Sequence, residues 1–228
     1  MKQIKTPVQA LIKDYLLSLE DALHALDKDL IEKAIFMVMD AYLNDKNVFI
    51  IGNGGGAASA SHMACDLSKG TLARHYNKNE KRLKVISLSD NISVITAYAN
   101  DLSYNEVFVQ QLRNLVNKED LIIVLSGSGN SRNVVKAVRY AKTQGAKTIG
   151  LLGFTGGKLA KMVDCAIIVK SNNYGPVEDV HVALHHIITA CFAKLKREYE
   201  GVSLTENMST PYANKSDFKP INKRHKKR

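Results

Sequence analysis

The 228-residue chain carries 32 Lys and Arg against 22 Asp and Glu, a net charge of +10, with 45% hydrophobic and 24% charged residues. That suits a globular domain with a real core, and no apolar run approaches the ~20 residues a membrane-spanning helix needs. Three cysteines, Cys65, Cys165 and Cys191, show no CxxC spacing, which favours a reducing, cytoplasmic location and offers no disulfide framework.

The chain opens on a short basic lead, and acidic residues then interrupt the apolar stretch, so it reads as an amphipathic helix rather than a signal peptide. Apolar residues at helical spacing predict helices over 7–26 and 30–43, with stripes at Leu11, Tyr15 and Leu19 and at Leu30, Ala34 and Val38. These stripes either cover the chain's own sheet or meet neighbouring subunits. Five short Val- and Ile-rich runs follow, "NVFII" from Asn47, "KVISLS" from Lys84, "LIIVLS" from Leu121, "KTIGLLG" from Lys147 and "CAIIV" from Cys165. Each is bounded by Gly, Ser or Asn and reads as a strand buried on both faces. Helical patterns over 57–69, 93–100, 105–116, 131–144 and 176–199 alternate with them. The alternation predicts an α/β fold with a parallel five-stranded sheet flanked by helices. From residue 201 the chain reads as a loosely ordered extension. Within it, residues 215–228 hold seven Lys or Arg against the single acid Asp217. More than half the excess charge thus sits in a tail that reads first as a plain solvated extension and second as a weak, nonspecific contact for an anionic partner, and no other nucleic-acid contact is expected.

In a parallel sheet, ligands bind beyond the carboxyl ends of the strands. Two loops there carry chemistry. "GNGGGAAS" follows the first strand, and its small residues let backbone N–H groups approach an anion at a helix start; a tight strand-to-helix turn would use the same residues. "SGSGNSRN" follows the third, where Ser126, Ser128 and Ser131 supply hydroxyls threaded by Gly127 and Gly129. Capping needs one such hydroxyl, so this loop reads as a phosphate cradle.

Two groups could move protons or hold metal. His62 and Asp66 stand at i, i+4 on one helical face, a spacing for two ligands of one metal or for a carboxylate orienting an imidazole; a plain surface pair has the same spacing. "EDVHVALHH" holds Glu178, Asp179, His181, His185 and His186. Glu178, His181 and His185 share a face, with His186 about a quarter-turn away. Imidazoles are natural proton carriers and zinc ligands.

"GNGGGAASASHMACDL", "AYAND" from Ala97, "SGSGNSRNVVKAV" and "VEDVHVALHHII" resemble, in order and spacing, the sugar isomerase (SIS) domain, and within it the phosphoheptose isomerases. The resemblance spans about residues 40–196. It implies N-terminal helices over 1–45, a three-layer SIS phosphosugar-binding domain over 46–200 with a five-stranded parallel sheet, and a tetramer with sites between subunits. The implied reaction converts sedoheptulose 7-phosphate to D-glycero-D-manno-heptose 7-phosphate for surface-polysaccharide heptose synthesis. Asn53, Gly54, Gly55, Asn100, Asp101 and Glu178 would contact substrate, and Ser126, Gly127, Ser128 and Ser131 its phosphate. His62, Asp66, Glu178 and His186 would hold zinc or another divalent metal, with Asp66 as base and His186 as acid; His181 and His185 stay in reserve. Three positions depart from the family's pattern. Asp66 stands for Glu, Glu178 for Gln, and Gly56 for the serine that usually closes the glycine loop. They point to a divergent branch. A non-catalytic SIS protein that binds a replication initiator, or a phosphosugar sensor, is the alternative; retained histidines and acids count against the first, and the lack of a helix-turn-helix pattern against the second.

Overall fold

The computed structural model describes residues 7–72 and 78–201; the extension beyond, with its basic tail, lies outside the described residues. Strands β1 (Asn47–Gly52), β2 (Lys84–Ser87), β3 (Leu121–Ser126), β4 (Lys147–Gly153) and β5 (Cys165–Val169) form one sheet in the order β2-β1-β3-β4-β5. All four pairings are parallel. The helices are α1 (Val8–His24), α2 (Lys28–Leu43), α3 (Gly55–Cys65), α4 (Ile92–Asp101), α5 (Val109–Leu115), α6 (Arg132–Thr143) and α7 (Tyr174–Tyr199).

The Val/Ile runs form strands because their alternate side chains feed two separate cores. Val48, Ile50, Leu121 and Ile123 pack on one face with residues of α2, α3 and α7. Phe49, Ile51, Ile122 and Val124 pack on the other with residues of α5 and α6. β1 therefore leads into a helix on the first face and β3 into a helix on the second. The order 2-1-3-4-5 puts these two strands side by side, which makes their carboxyl ends a topological switch point. At the opposite ends of the strands, two carboxylates, buried Asp120 and exposed Asp164, fix where strands begin. Asp120 accepts from the Asn47 N–H at 2.9 Å and the Asn117 N–H at 2.8 Å, and Asp164 accepts from the Thr148 N–H at 2.9 Å.

The helix expected over 105–116 is broken. Residues Tyr104–Glu106 form a short 3₁₀ turn, and α5 starts only at Val109. Val107, Phe108 and Val109 are all buried. Three successive helical residues fan through about 200°, so an unbroken helix would leave one of them in water. The helix expected over 57–69 also changes character: α3 starts at Gly55, ends at Cys65, and passes into a π turn, Asp66–Gly70. The N-terminal stripes divide. α2 buries Ala34 and Val38, whereas α1 buries only Ala22 and leaves Val8, Leu11, Ile12 and Leu16 exposed. Among the described residues, no helix is long and apolar enough to cross a membrane.

A buried charge ties α7 to the π turn. Lys196 is 1% exposed, donates to Glu80 at 2.6 Å and to the Thr71 carbonyl at 3.4 Å, and stands 5.6 Å from the Tyr42 ring centroid. Removing one partner of such a pair leaves an uncompensated charge. Glu80→Ala should therefore cost about 3–5 kcal/mol in urea unfolding, while the double change Glu80→Leu with Lys196→Met should recover most of it.

Candidate active site

At the switch point lies a cavity of about 120 Å³, walled by Asn53, Gly56 and Ser59 from the β1 side and by Ser126, Gly127, Ser128 and Ser131 from the β3 side. Tyr174, Glu178 and His181 of α7 close it. Both loops pack so tightly, the first on itself and the second on the loop after β4, that side chains would not fit. A Cβ on Gly52 would lie 2.4 Å from the Gly56 oxygen, and one on Gly129, at φ +63°, 1.9 Å from the Gly156 oxygen. Ser126 Oγ accepts from the Gly129 N–H at 3.1 Å, and the Gly127 carbonyl accepts from the Gly153 N–H at 2.9 Å. These bonds set the loop before any ligand arrives. Ser131 precedes α6, yet its side chain makes no capping bond. Its hydroxyl and the α6 N–H groups are thus not spent on each other, which suits an anion at the helix start. Asn53 is fixed by a reciprocal amide pair with Asn133, both bonds at 2.9 Å, and accepts from the Tyr104 hydroxyl at 2.9 Å.

One helical turn beyond Ser59 on α3 comes His62, and one turn beyond His181 on α7 comes His185. There the two helices bring four side chains together: ligand atoms of His62, Asp66, His185 and His186 all lie within 4.8 Å of one another. Asp66 Oδ2 is the hub, 3.4 Å from His62 Nε2, 3.3 Å from His185 Nε2 and 3.5 Å from His186 Nε2. The rings stack edge to face, with centroids 4.5 Å apart for His62 and His185 and 4.1 Å for His185 and His186. His185 is fully buried, and neither of its ring nitrogens has a hydrogen-bond partner; the 3.3 Å approach to Asp66 is a charge contact without hydrogen-bond geometry. Burial first, then neighbouring His186 and His62, push its pKa down to about 4 against the pull of Asp66. Imidazole lone pairs converging on one carboxylate fit a divalent cation.

The structure brings His62, Asp66 and His186 together as expected from the family pattern and adds His185. Glu178 stands apart from that group. Its carboxylate lies where a Cβ on Gly55 would be, 2.5 Å from that position, at the first turn of α3. Gly54 takes φ +55° beside it in open space. Asn100 and Asp101 end α4, with the Asn100 amide donating to Asp101 at 2.9 Å, and neither lines the cavity. Asn133, Tyr104 and Tyr174 were not anticipated. Asn133 stands inside the quoted serine loop, but the two tyrosines carry no sequence signal.

Fold and site together define the class: the SIS domain family model matches residues 13–153. A phosphoheptose isomerase of Helicobacter pylori strain P12 is 37% identical over 177 residues, 78% of this chain and 89% of the relative. The solved structure of a phosphoheptose isomerase from Francisella tularensis matches with a TM-score of 0.74 at 25% identity, covering 82% of this chain and 96% of that one. That from Neisseria gonorrhoeae matches at 0.72 and 28%, covering 82% and 97%. The chain belongs to the phosphoheptose isomerase family of SIS-domain proteins.

His181 carries a pH signature. It is 2% exposed with Nε2 unpartnered, and burial pushes its pKa from 6.5 down to about 4, against a hydrogen bond it donates to the Leu152 backbone carbonyl, which raises it. A depressed histidine stabilises the fold fully above pH 6.5, and its contribution is lost as pH falls toward 4, where the unfolded chain binds the proton and the folded chain does not. Urea unfolding should show the wild type losing about 3 kcal/mol more than His181→Gln between pH 7 and pH 4.

Proposed function

We propose that this chain isomerises sedoheptulose 7-phosphate to D-glycero-D-manno-heptose 7-phosphate, in heptose synthesis, with the phosphate in the serine–glycine cradle and the reacting carbons toward the His/Asp group. One observation carries this reading. α3 and α7 each supply a residue to the cavity wall, Ser59 and His181, and a member of the His/Asp group about one turn further on, His62 and His185. A sugar chain anchored by its phosphate therefore runs along both helices toward the proton-transfer groups. An intact His/Asp group favours catalysis over the non-catalytic binding role.

Ser126, Ser128 and Ser131, the Gly127 backbone and the N-terminus of α6 hold the phosphate. Asn53, kept in one orientation by Asn133 and Tyr104, reads sugar hydroxyls, as do Gly54, Gly55 and Glu178. Asn100 and Asp101 are retained as substrate contacts on the family pattern alone. Asp66 takes the C1 proton as a proton from His186 reaches the C2 carbonyl oxygen, giving an enediol. Return of a proton to C2 and loss of the O1 proton yield the aldose, so no oxidant or reductant is consumed. His62, Asp66 and His186 hold a divalent metal such as zinc, which when bound would polarise the sugar carbonyl. The chain works as a homo-oligomer, read as a tetramer with sites between subunits; the exposed apolar residues of α1 support assembly.

Turnover of sedoheptulose 7-phosphate should be measured with added zinc and with chelator. Product that forms only with metal is the expected result, and absence of turnover in both conditions would sink the reading. Asp66→Asn should lower kcat by about 100- to 10,000-fold. Ser128→Ala should instead raise KM about tenfold or more, through loss of a charge-assisted hydrogen bond worth about 1.5–3 kcal/mol.

A further inference from the structure

We propose, resting on the metal reading above, that His185 rather than Glu178 completes the metal set of this chain with His62, Asp66 and His186, which leaves the Glu178 carboxylate as a sugar-facing group of the cavity. Four observations converge on it.

His185 is inside the group and Glu178 is not: the four clustered donors all lie within 4.8 Å of one another. His185 also needs a partner. A fully buried ring with both nitrogens unpaired carries the desolvation penalty of each, and its Nε2 stands 3.3 Å from the Asp66 oxygen that the other two imidazoles share. A cation at this point would satisfy that nitrogen and keep like-charged imidazolium rings from forming side by side. The set has an inside and an outside as well. The side chains of His62, His186 and Asp66 are 49%, 36% and 26% exposed while that of His185 is 0%. His185 thus closes the back of the site, and the side facing solvent stays open for a ligand.

Glu178 is committed elsewhere. It precedes His185 by seven residues of one continuous helix, about 10 Å of axial rise. Its Oε2 lies 2.5 Å from the Cβ position of Gly55, at the N-terminal turn of α3, where helix N–H groups favour a carboxylate. It also lines the phosphate-side cavity with Ser126, Ser128 and Tyr174. Glycine at position 55 is what lets the carboxylate lie there.

The test separates metal affinity from activity. Apo wild type, His185→Gln and Glu178→Gln are titrated with Co²⁺, read by visible absorption, and with Zn²⁺ in competition with a chromophoric chelator. His185→Gln should weaken metal binding by more than about 100-fold, since even outer partners of a metal site cost about 10- to 100-fold, and should change the Co²⁺ spectrum. Glu178→Gln should leave affinity within about threefold and the spectrum unchanged, while raising KM for sedoheptulose 7-phosphate. His185→Leu, which keeps the buried position apolar, serves where the glutamine variant fails to fold as judged by thermal unfolding of the apo protein. Gly55→Ala provides an independent check, since it should displace Glu178, raise KM and spare metal affinity. Loss of metal binding in Glu178→Gln with retention in His185→Gln would overturn the assignment, as would equal binding by all variants. Wild type that binds neither metal would overturn it too, by removing the metal reading itself.

Discussion

Everything at the site follows from one topological constraint: β1 and β3 are neighbours whose chains leave toward opposite faces of the sheet. A crevice must open where adjacent crossovers diverge. The loops that line it turn within a few residues, and the backbone contacts this forces explain the glycines better than ligand binding alone does. Gly52 and Gly129 each face a carbonyl oxygen too close for any side chain. The same glycines that make the turns possible leave backbone N–H groups and serine hydroxyls as the surface of the crevice. Fold and anion site are thus one solution to one steric problem.

The second layer of organisation is the crossing of α3 and α7. α3 continues past Cys65 into a π turn that begins at Asp66, an arrangement that recurs at functional sites because it redirects a side chain within a helix. Asp66 is thereby delivered to the point where three imidazoles meet. The pairing survives because Lys196, eleven residues beyond His185 on α7, grips the end of that turn at Thr71 and the Glu80 carboxylate. A buried ion pair is weak evidence of stability in itself. Here it fixes the mutual position of two helices whose polar residues must agree to within a hydrogen-bond length.

Strand positions were legible because a parallel strand buried on both faces has to be an unbroken apolar run, and all five runs proved to be strands, although β2, at the sheet edge, buries only Ser87 and is not covered on both faces as expected. The serine loop drew the eye for a similar reason, since three hydroxyls exceed what a cap consumes, and Ser126, Ser128 and Ser131 do line one cavity. The break at Val107 to Val109 was not, because the choice between one continuous helix and two pieces depends on which side chains the neighbouring core accepts. The division of α7 was only half legible. Helical spacing correctly grouped Glu178, His181 and His185 on one face. It could not show that the face passes two different features, with Glu178 and His181 at the cavity and His185 at the His/Asp group. Adjacent residues project about 100° apart, so His185 and His186 read as alternatives, yet α3 lies across the wedge between them and both reach the same carboxylate. That is tertiary information.

On the proposed reading the cavity also has to attract a dianion without the usual means. None of the described residues lining it is Lys or Arg, and one of them, Glu178, is an acid. The field comes instead from backbone. α3 begins at Gly55, α6 at Arg132 and α7 at Tyr174, so three helix N-termini open at or beside the cavity wall. Each carries roughly half a positive charge, about +1.5 for the three together, which offsets most of the charge of a phosphate dianion. Sharing that field between two anions imposes an order. In the proposed function the phosphate lies against α6, whose N-cap residue Ser131 makes no side-chain capping bond, and Glu178 lies against α3, whose start is glycine. Because each anion has its own helix end, the Glu178 carboxylate is placed on this reading to accept hydrogen bonds from sugar hydroxyls. A glutamine there could donate to the phosphate end as readily as accept from the sugar, so the acid at 178 makes the cavity more selective about which end of the ligand faces α7.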